Sequence, residues 1–530
     1  MPPDPEPRPP TLAAPTAARV HAGRDHPLLA AALSALIPGL GQAYEGRFAA
    51  AALLLVPVVL LAVGVGLVVG ATTLPELAGS LVLPSTITVL LLANVALLLW
   101  RILAVVDAWL GGRHGGARSG DGGRARRAAG ALGVLALVAI LAFVSVPHAL
   151  AGWYGASASS AVARIFTAED SDPFDLPVGT PGPTLAADAH AIVDASALPT
   201  TRPTVASTPT FGADASPAPS PSPSPSPTPT PLDARVNVLL LGIDSGPGRD
   251  QALTDTMIVA SLDPVGKTVS LISILRDTVN VPLGDGQVYQ PKLNSLVGFA
   301  QRNPGAFGDR KPIRVLKDAL GELLGIKIRY YASVDLPGFI KVIDAIGGVG
   351  VVVKEPLYDY RYREYGFNGF SIGAGCQHLD GKSALAFARI RYSVGQNDFT
   401  RAGRQQQVLV AARDRVVREG LLLDFPRLFD ALGSTIRTDI PPDLVPRLVE
   451  YASRLDQHAV AQAVIAWPLV ASGTNGYGSV LLPDLAGIRA VADGLFTEPG
   501  VAPVGWPDPT PTPSPTPRSG QPKQPPPVCR

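Results

Sequence analysis

Val236-Asn237-Val238-Leu239-Leu240-Leu241-Gly242-Ile243-Asp244 is the stretch on which the fold turns. Residues 236–241 form an apolar run rich in Val and Leu that closes at Gly242, the pattern of a buried strand, and Asp244 follows just past it. Residues 256–262 and 268–275 read as two more strands, joined by the turn Asp263-Pro264-Val265-Gly266, with Asp255 just before the first of them. Further on, 312–324 carries Ile313, Leu316, Leu320, Leu323 and Leu324 at helical spacing. Residues 329–334 read as a strand, 336–346 as a helix stopped by Gly347-Gly348, and 349–353 as a strand. Helices are expected over 380–387 and 401–418, with smaller ones near 425–433, 443–453 and 484–496. Strands and helices interleave, so the class is α/β with a mixed central sheet flanked by helices.

The rest of the chain is of another kind. Of 530 residues, 47% are hydrophobic and only 16% charged, and Gly and Pro contribute 54 each, so a single compact soluble enzyme is excluded. The net charge of +1 argues against a nucleic-acid partner. Two Cys and seven His with no CxxC or HExxH leave neither a disulfide scaffold nor a zinc site.

Residues 1–25, rich in Pro, Ala and Arg, read as a disordered N-terminus. Within 26–153, three charge-free apolar runs, 49–70, 81–100 and 128–150, are each long enough to cross ~30 Å of hydrocarbon, so an α-helical membrane region precedes the α/β domain. An earlier run, 27–40, is too short and is broken by Pro38-Gly39, as in an interfacial or re-entrant segment. Arg113, Arg118, Arg124, Arg126 and Arg127 crowd the loop 111–127, which the positive-inside bias assigns to the cytoplasm together with the N-terminus. Everything after Trp153-Tyr154 is then expected outside the membrane. Residues 154–232 read as a linker whose Ser/Thr-Pro tract, roughly 15 residues at about 3 Å each, would space a domain about 45 Å from the bilayer. Residues 233–500 form the globular domain and 501–530 a second Pro-rich tail.

The domain has no GxSxG elbow and no convincing nucleophile–base pair. It has acids at strand ends and clustered arginines, which suit metal-assisted phosphoryl chemistry. Asp244 and Asp255 lie at the ends of neighbouring strands, and two hard carboxylates with open positions suit Mg²⁺ or Mn²⁺. Arg276-Asp277 follows the third strand. Arg389 and Arg391 share a face only if the chain leaves its helix near Phe387, and both then reach one anion. Arg401, Arg404 and Gln405 share one helical face, and cations in a first helical turn call for a bound anion.

These segments, in order, resemble a family. Residues 237–244, Thr254-Asp255-Thr256, Ser273-Ile274-Leu275-Arg276-Asp277-Thr278, Lys292-Leu293-Asn294, residues 343–349, Leu379-Asp380-Gly381 with Ala386-Phe387-Ala388-Arg389-Ile390-Arg391, and Asp398 with Arg401 and Arg404-Gln405 together resemble the LytR–CpsA–Psr family of cell-wall glycopolymer ligases. The resemblance spans about 235–420. It implies a phosphotransferase that moves a glycopolymer from a polyprenyl-pyrophosphate carrier to a peptidoglycan sugar hydroxyl, leaving a phosphodiester. By the same resemblance, Asp244 and Asp255 hold the Mg²⁺. Arg276, Arg389, Arg391, Arg401 and Gln405 bind the pyrophosphate and stabilise its developing charge. Asp398 or Asp277 orients or deprotonates the acceptor. Leu320, Leu324, Phe339 and Ile343 are candidates for a lipid tunnel. A hydrolase using the same site and a non-catalytic wall-binding or regulatory anchor are the alternatives. Two departures stand out: Leu275 replaces the Pro usual before the motif Arg, and three spans replace the frequent one. Cys376 and Cys529, both expected outside the membrane, are a candidate disulfide.

Overall fold

The structure, a computed structural model, describes residues 26–73, 77, 79–115, 123–167, 191–197, 235–244, 253–264, 266–284, 286–418, 433, 435–454 and 460–497. It divides into two units, one holding most of the N-terminal helices and one holding the α/β fold.

In the first unit, α1 (Pro27–Leu36) and α2 (Leu40–Tyr44) precede α3 (Phe48–Ala71), α4 (Pro84–Gly115) and α5 (Gly123–Ile165). Three of these are long and apolar enough to cross a membrane. Leu60, Leu67, Leu92 and Phe143 stand exposed on them, as lipid-facing side chains would. The broken run 27–40 is a helix followed by a tight turn at Gly39 (φ +96°), where a Cβ would fall 2.4 Å from the Ala51 carbonyl oxygen. Just beyond, Gln42 is fully buried and donates to the Ala104 carbonyl and to Asp107 on α4. The helix α4 continues through Arg101 and Asp107, beyond the charge-free run 81–100.

The α/β unit is built on a six-stranded sheet of order β12-β7-β2-β3-β4-β13. Its strands are β2 (Val236–Asp244), β3 (Leu253–Asp263), β4 (Thr268–Ile274), β7 (Tyr330–Asp335), β12 (Ile436–Thr438) and β13 (Val460–Val464). The pairs β2/β7 and β4/β13 are parallel and the other pairs antiparallel, so the sheet is mixed as expected. A smaller sheet joins β1 (Ile192–Asp194), β6 (Gln287–Tyr289) and β5 (Val281–Gly284). Three antiparallel pairs complete the strands: β8 (Val349–Val353) with β11 (Gly375–Leu379), β9 (Leu357–Asp359) with β10 (Phe370–Ile372), and β14 (Val470–Asn475) with β15 (Gly478–Pro483).

One core layer packs Leu239, Leu241, Val259 and Ile272 of the sheet against α6 (Leu296–Arg302), α7 (Pro312–Leu324) and α12 (Leu485–Thr497). The other face meets α8 (Leu336–Ala345), α9 (Gly381–Arg389) and α10 (Asp398–Arg418), which also enclose a second core around Val349, Val351 and Phe387. Asp335 and Asp380 cap α8 and α9 by accepting from the Gly338 and Ser383 amides, which fixes where each helix starts. The helix α11 (Val445–Arg454) matches the segment expected near 443–453, whereas the one expected near 425–433 lies outside the described residues except for Gly433.

Two segments of the linker expected over 154–232 are regular structure instead, one at its start and one within it. Residues 155–165 extend α5, because Gly-Ala-Ser-Ala-Ser-Ser-Ala-Val-Ala-Arg-Ile contains no proline and is rich in Ala. Phe166 then bridges Thr438, and the Thr167 amide donates to the Thr438 carbonyl at 2.9 Å, so the chain joins the sheet edge directly after α5. Residues 192–194 pair with β6. The Ser/Thr-Pro tract lies outside the described residues and falls in sequence between β1 and β2, two strands of one unit.

Candidate active site: a charged mouth on an apolar cavity

The site starts from an irregularity in the sheet. Register between β2 and β3 steps from Gly242↔Thr256 to Ile243↔Thr254, which leaves Asp255 as the extra residue of a bulge. A bulge re-aims the side chain it carries. Gly242 is needed opposite it, because a Cβ there would meet the Thr256 side chain at 2.9 Å. Asp255 thus lies inside β3 and not before it, and Asp244 ends β2.

Asp255 accepts from Arg276 Nη1 at 2.7 Å. Burial pushes its carboxyl upward, but Arg276, helped by Arg389 and Arg401, overrides this and holds it below the usual carboxylate range. Arg276 itself is braced by its own backbone, since the Asn294 amide donates to its carbonyl and the Leu293 amide to that of Thr278. Asp277 pairs with Lys292 at 2.7 Å and lies 3.5 Å from Arg276 Nε.

Arg389 is the last residue of α9, so the chain leaves that helix two residues later than expected. Its Nη2 lies 3.2 Å from Glu364 and 3.5 Å from Asp244. Ile390 is extended (φ −57°, ψ 145°), and Asp359 accepts from the backbone amides of Arg391 and Tyr392 at 2.9 and 3.1 Å, so this carboxylate orders the segment that carries Arg391. Arg361 stacks on the Tyr392 ring at 4.4 Å from its centroid.

The helix α10 begins at Asp398, three residues earlier than expected, so the arginines are not its first-turn residues. Asp398 fills that turn and lies 2.9 Å from Arg401 and 3.6 Å from Arg391, which supplies the negative charge that a bound anion was invoked to explain. Arg401 is 7% exposed at its side chain, and burial, with Arg391 and Arg276 nearby, lowers it to about 10 despite Asp398. Arg404 is not part of the site: its guanidinium donates to the carbonyls of Phe387 and Ile390 and to Gln396, and so ties α10 to the end of α9.

Asp255, Arg389, Arg391, Arg401 and Gln405 line the mouth of a cavity of about 530 Å³. Behind them its walls are apolar: Leu240 and Ile258 from the sheet, Phe339, Val342 and Ile343 from α8, and Val408, Leu409 and Ala412 from α10. Asp244 and Arg276 flank the mouth as partners of its lining residues. Of the tunnel candidates, Phe339 and Ile343 line the cavity; Leu320 and Leu324 are fully buried in the opposite core. Sequence reading missed Glu364, Arg361 and Arg363, whose loop 360–369 carries no periodicity to mark it.

Among the described residues no group of three or more His, Cys, Asp or Glu is placed to hold a metal. The acids meet guanidiniums instead, Asp244 at Arg389 and Asp255 at Arg276. Two carboxylate donors suit an ion that takes its remaining ligands from phosphate oxygens and water, as Mg²⁺ does. Cys376 is disulfide-bonded, and Cys529 lies outside the described residues.

Fold and site together define an α/β domain that gathers guanidiniums and carboxylates at the mouth of an apolar cavity. Residues 214–477 match the LytR_cpsA_psr family, and through that segment the chain belongs to it. The polyisoprenyl-teichoic acid–peptidoglycan teichoic acid transferase TagU of Enterococcus faecalis is 29% identical over 221 residues, covering 41% of this chain and 66% of its own length. The TagU of Oceanobacillus iheyensis is 32% identical over 215 residues, covering 40% of this chain and 62% of its own length. The chain thus spans less than two thirds of these relatives. The crystal structure of Bacillus subtilis TagV is 25% identical, covering 50% of this chain and 96% of that one, with a TM-score of 0.40.

Proposed function

We propose that this protein is a membrane-anchored, extracytoplasmic phosphotransferase that moves a glycopolymer from a polyprenyl-pyrophosphate carrier to a peptidoglycan sugar hydroxyl. The carrying observation is the cavity: apolar walls suit a polyprenyl chain, and the charges at its mouth suit the diphosphate attached to that chain. The similarity to the TagU proteins, polyisoprenyl-teichoic acid–peptidoglycan teichoic acid transferases, supports the same class of donor and acceptor.

In this reading Arg389, Arg391 and Arg401 contact the diphosphate oxygens, with Gln405 beside them, and stabilise the charge that builds in transfer. Arg276 keeps Asp255 ionised and aimed by their 2.7 Å contact. The acceptor hydroxyl oxygen forms a bond to the glycopolymer-side phosphorus, the bond from that phosphorus to the bridging oxygen breaks, and polyprenyl phosphate leaves into the apolar cavity. The hydroxyl proton passes to a carboxylate. Asp398 suits this role better than Asp277, since Asp398 is 39% exposed beside Arg391 and Arg401 whereas Asp277 is engaged by Lys292. Asp244 and Asp255 would hold a Mg²⁺ ion, which when bound neutralises diphosphate charge.

The test supplies the full chain in lipid nanodiscs with a polyprenyl-pyrophosphate-linked glycan and a peptidoglycan oligomer, with and without Mg²⁺. A covalent glycan–peptidoglycan product is expected. Free phosphorylated glycan would instead identify a hydrolase. Full turnover by both Asp255→Ala and Arg389→Ala would remove the site assignment.

A further inference from the structure

Trp467 is the sole tryptophan of the α/β unit among the described residues, and it is 75% exposed. It is not a loose loop residue. Ala466 and Leu469 on either side are 3% and 6% exposed, and the Leu469 amide donates back to the Ala466 carbonyl at 2.7 Å, so the turn that presents the indole is anchored in the core. A large apolar ring held out into water by buried neighbours offers a flat face on which a ligand ring can stack.

Its position follows from register. The parallel pair β4/β13 sets Val464 against Ser273, and the Ile465 amide donates to the Ser273 carbonyl at 3.0 Å. Both strands end just beyond this point, at Ile274 and Val464, and the segments that follow them stay in contact. Packing agrees, because Leu275, Ala402, Val464 and Ala466 form one cluster with Phe399 and Leu481 against it. The β14/β15 hairpin that follows Trp467 is bonded to the same motif: the Leu481 amide donates to the Asp277 carbonyl, and the Val279 amide to that of Leu481, each at 3.0 Å. The turn that carries Trp467 therefore follows the edge strand β13 and packs, through Ala466, against Leu275, the residue before Arg276.

Arg276 does not line the cavity; Asp255, which it contacts, does. Arg276 and the segment packed beside it thus adjoin a residue of the cavity lining. In an in-line displacement the nucleophile approaches opposite the leaving group. If polyprenyl phosphate departs into the cavity, the acceptor arrives from outside it. We propose that Trp467 is the stacking platform of the acceptor subsite and takes the apolar face of a sugar ring in the peptidoglycan glycan strand. This rests on the transferase reading and adds to it the residue that selects the acceptor.

The test uses the full chain in nanodiscs with a lipid-free tetrasaccharide of β-1,4-linked N-acetylglucosamine and N-acetylmuramic acid. Direct binding is read by calorimetry and transfer by steady-state kinetics. Trp467→Ala should weaken tetrasaccharide binding and raise the acceptor KM about tenfold, with donor KM unchanged, while Trp467→Phe, which keeps a ring, should stay within about threefold of wild type. Wild-type binding lost in Trp467→Ala supports the subsite even if no transfer occurs, in which case the transferase reading alone falls. Wild-type transfer with an unaltered acceptor KM in Trp467→Ala overturns the subsite and leaves the transferase standing. A variant that loses binding to phospholipid vesicles but not to the tetrasaccharide also overturns it.

Discussion

Two charge clusters of the α/β unit are built to opposite specifications. Under the sheet, Lys317 and Asp439 meet at 2.7 Å with both side chains fully buried. The Lys317 ammonium also donates to the Arg329 carbonyl at 3.0 Å, and the other Asp439 oxygen accepts from the Tyr331 amide at 2.7 Å. A buried ion pair is tolerated only when its remaining donors and acceptors are matched in this way. At the cavity mouth the pairs are looser: Arg389 lies 3.2 and 3.5 Å from its acids, and Asp398 is shared between Arg391 and Arg401. Arg401 is depressed to about 10, chiefly by its burial, with Arg391 and Arg276 adding to the effect. The tight cluster holds β7, α7 and the β12 edge together; the loose one leaves guanidinium valence for a ligand.

The largest effects test this contrast directly. Lys317→Met strands a buried carboxylate and should cost ~3–5 kcal/mol of stability, read by denaturant unfolding. Arg389→Ala should lower transfer by ~10²–10³-fold with melting close to wild type, since it removes transition-state charge stabilisation and not a structural pair. If Arg389→Ala unfolds as readily as Lys317→Met, the mouth is scaffolding and the contrast is void.

Next in size is the chamber behind the mouth. Val342→Trp places an indole among Phe339, Ile343 and Leu409 in the cavity. The donor KM should rise about tenfold, ~1.4 kcal/mol, for a long polyprenyl carrier and much less for a short-chain analogue. Equal effects on both chain lengths would mean that the lipid does not occupy this space.

How much of this was legible in the sequence depended on whether local pattern or long-range contact decides the matter. The strand–helix order and the arginine positions are carried by periodicity and by motif spacing, and the mixed sheet followed from them. Asp255 as a bulge residue was not legible, because the extra residue is defined only against its partner strand. Arg404 shares a helical face with Arg401, yet the end of α9 claims its guanidinium, and no spacing rule encodes that. Phe339 and Leu320 look alike as helical apolar residues; which lines a chamber and which fills a core depends on the layer each helix joins. The brief strand at 192–194 is too short to stand out of a Pro- and Ala-rich context, so the segment around it read as linker.

The smallest expected effect sharpens the account of Asp255. Burial alone would raise its carboxyl; Arg276 at 2.7 Å, with Arg389 and Arg401, reverses this and places it below 3.8. A carboxyl depressed in the folded state contributes stability that is fully present above its unfolded value and is lost as pH falls through the folded one. Wild type should therefore keep this contribution, and an ionised Asp255, well into the acid range. Arg276→Gln removes the largest opposing charge, leaves burial in place, and should move the acid limb of both melting temperature and turnover to higher pH. Melting and turnover followed between about pH 3 and 7 make the comparison, since ordinary carboxylates titrate there. Coincident acid limbs in the two proteins would show that Asp255 does not depend on Arg276 for its charge, and that the 2.7 Å pair belongs with Lys317–Asp439 as structure and not with the mouth.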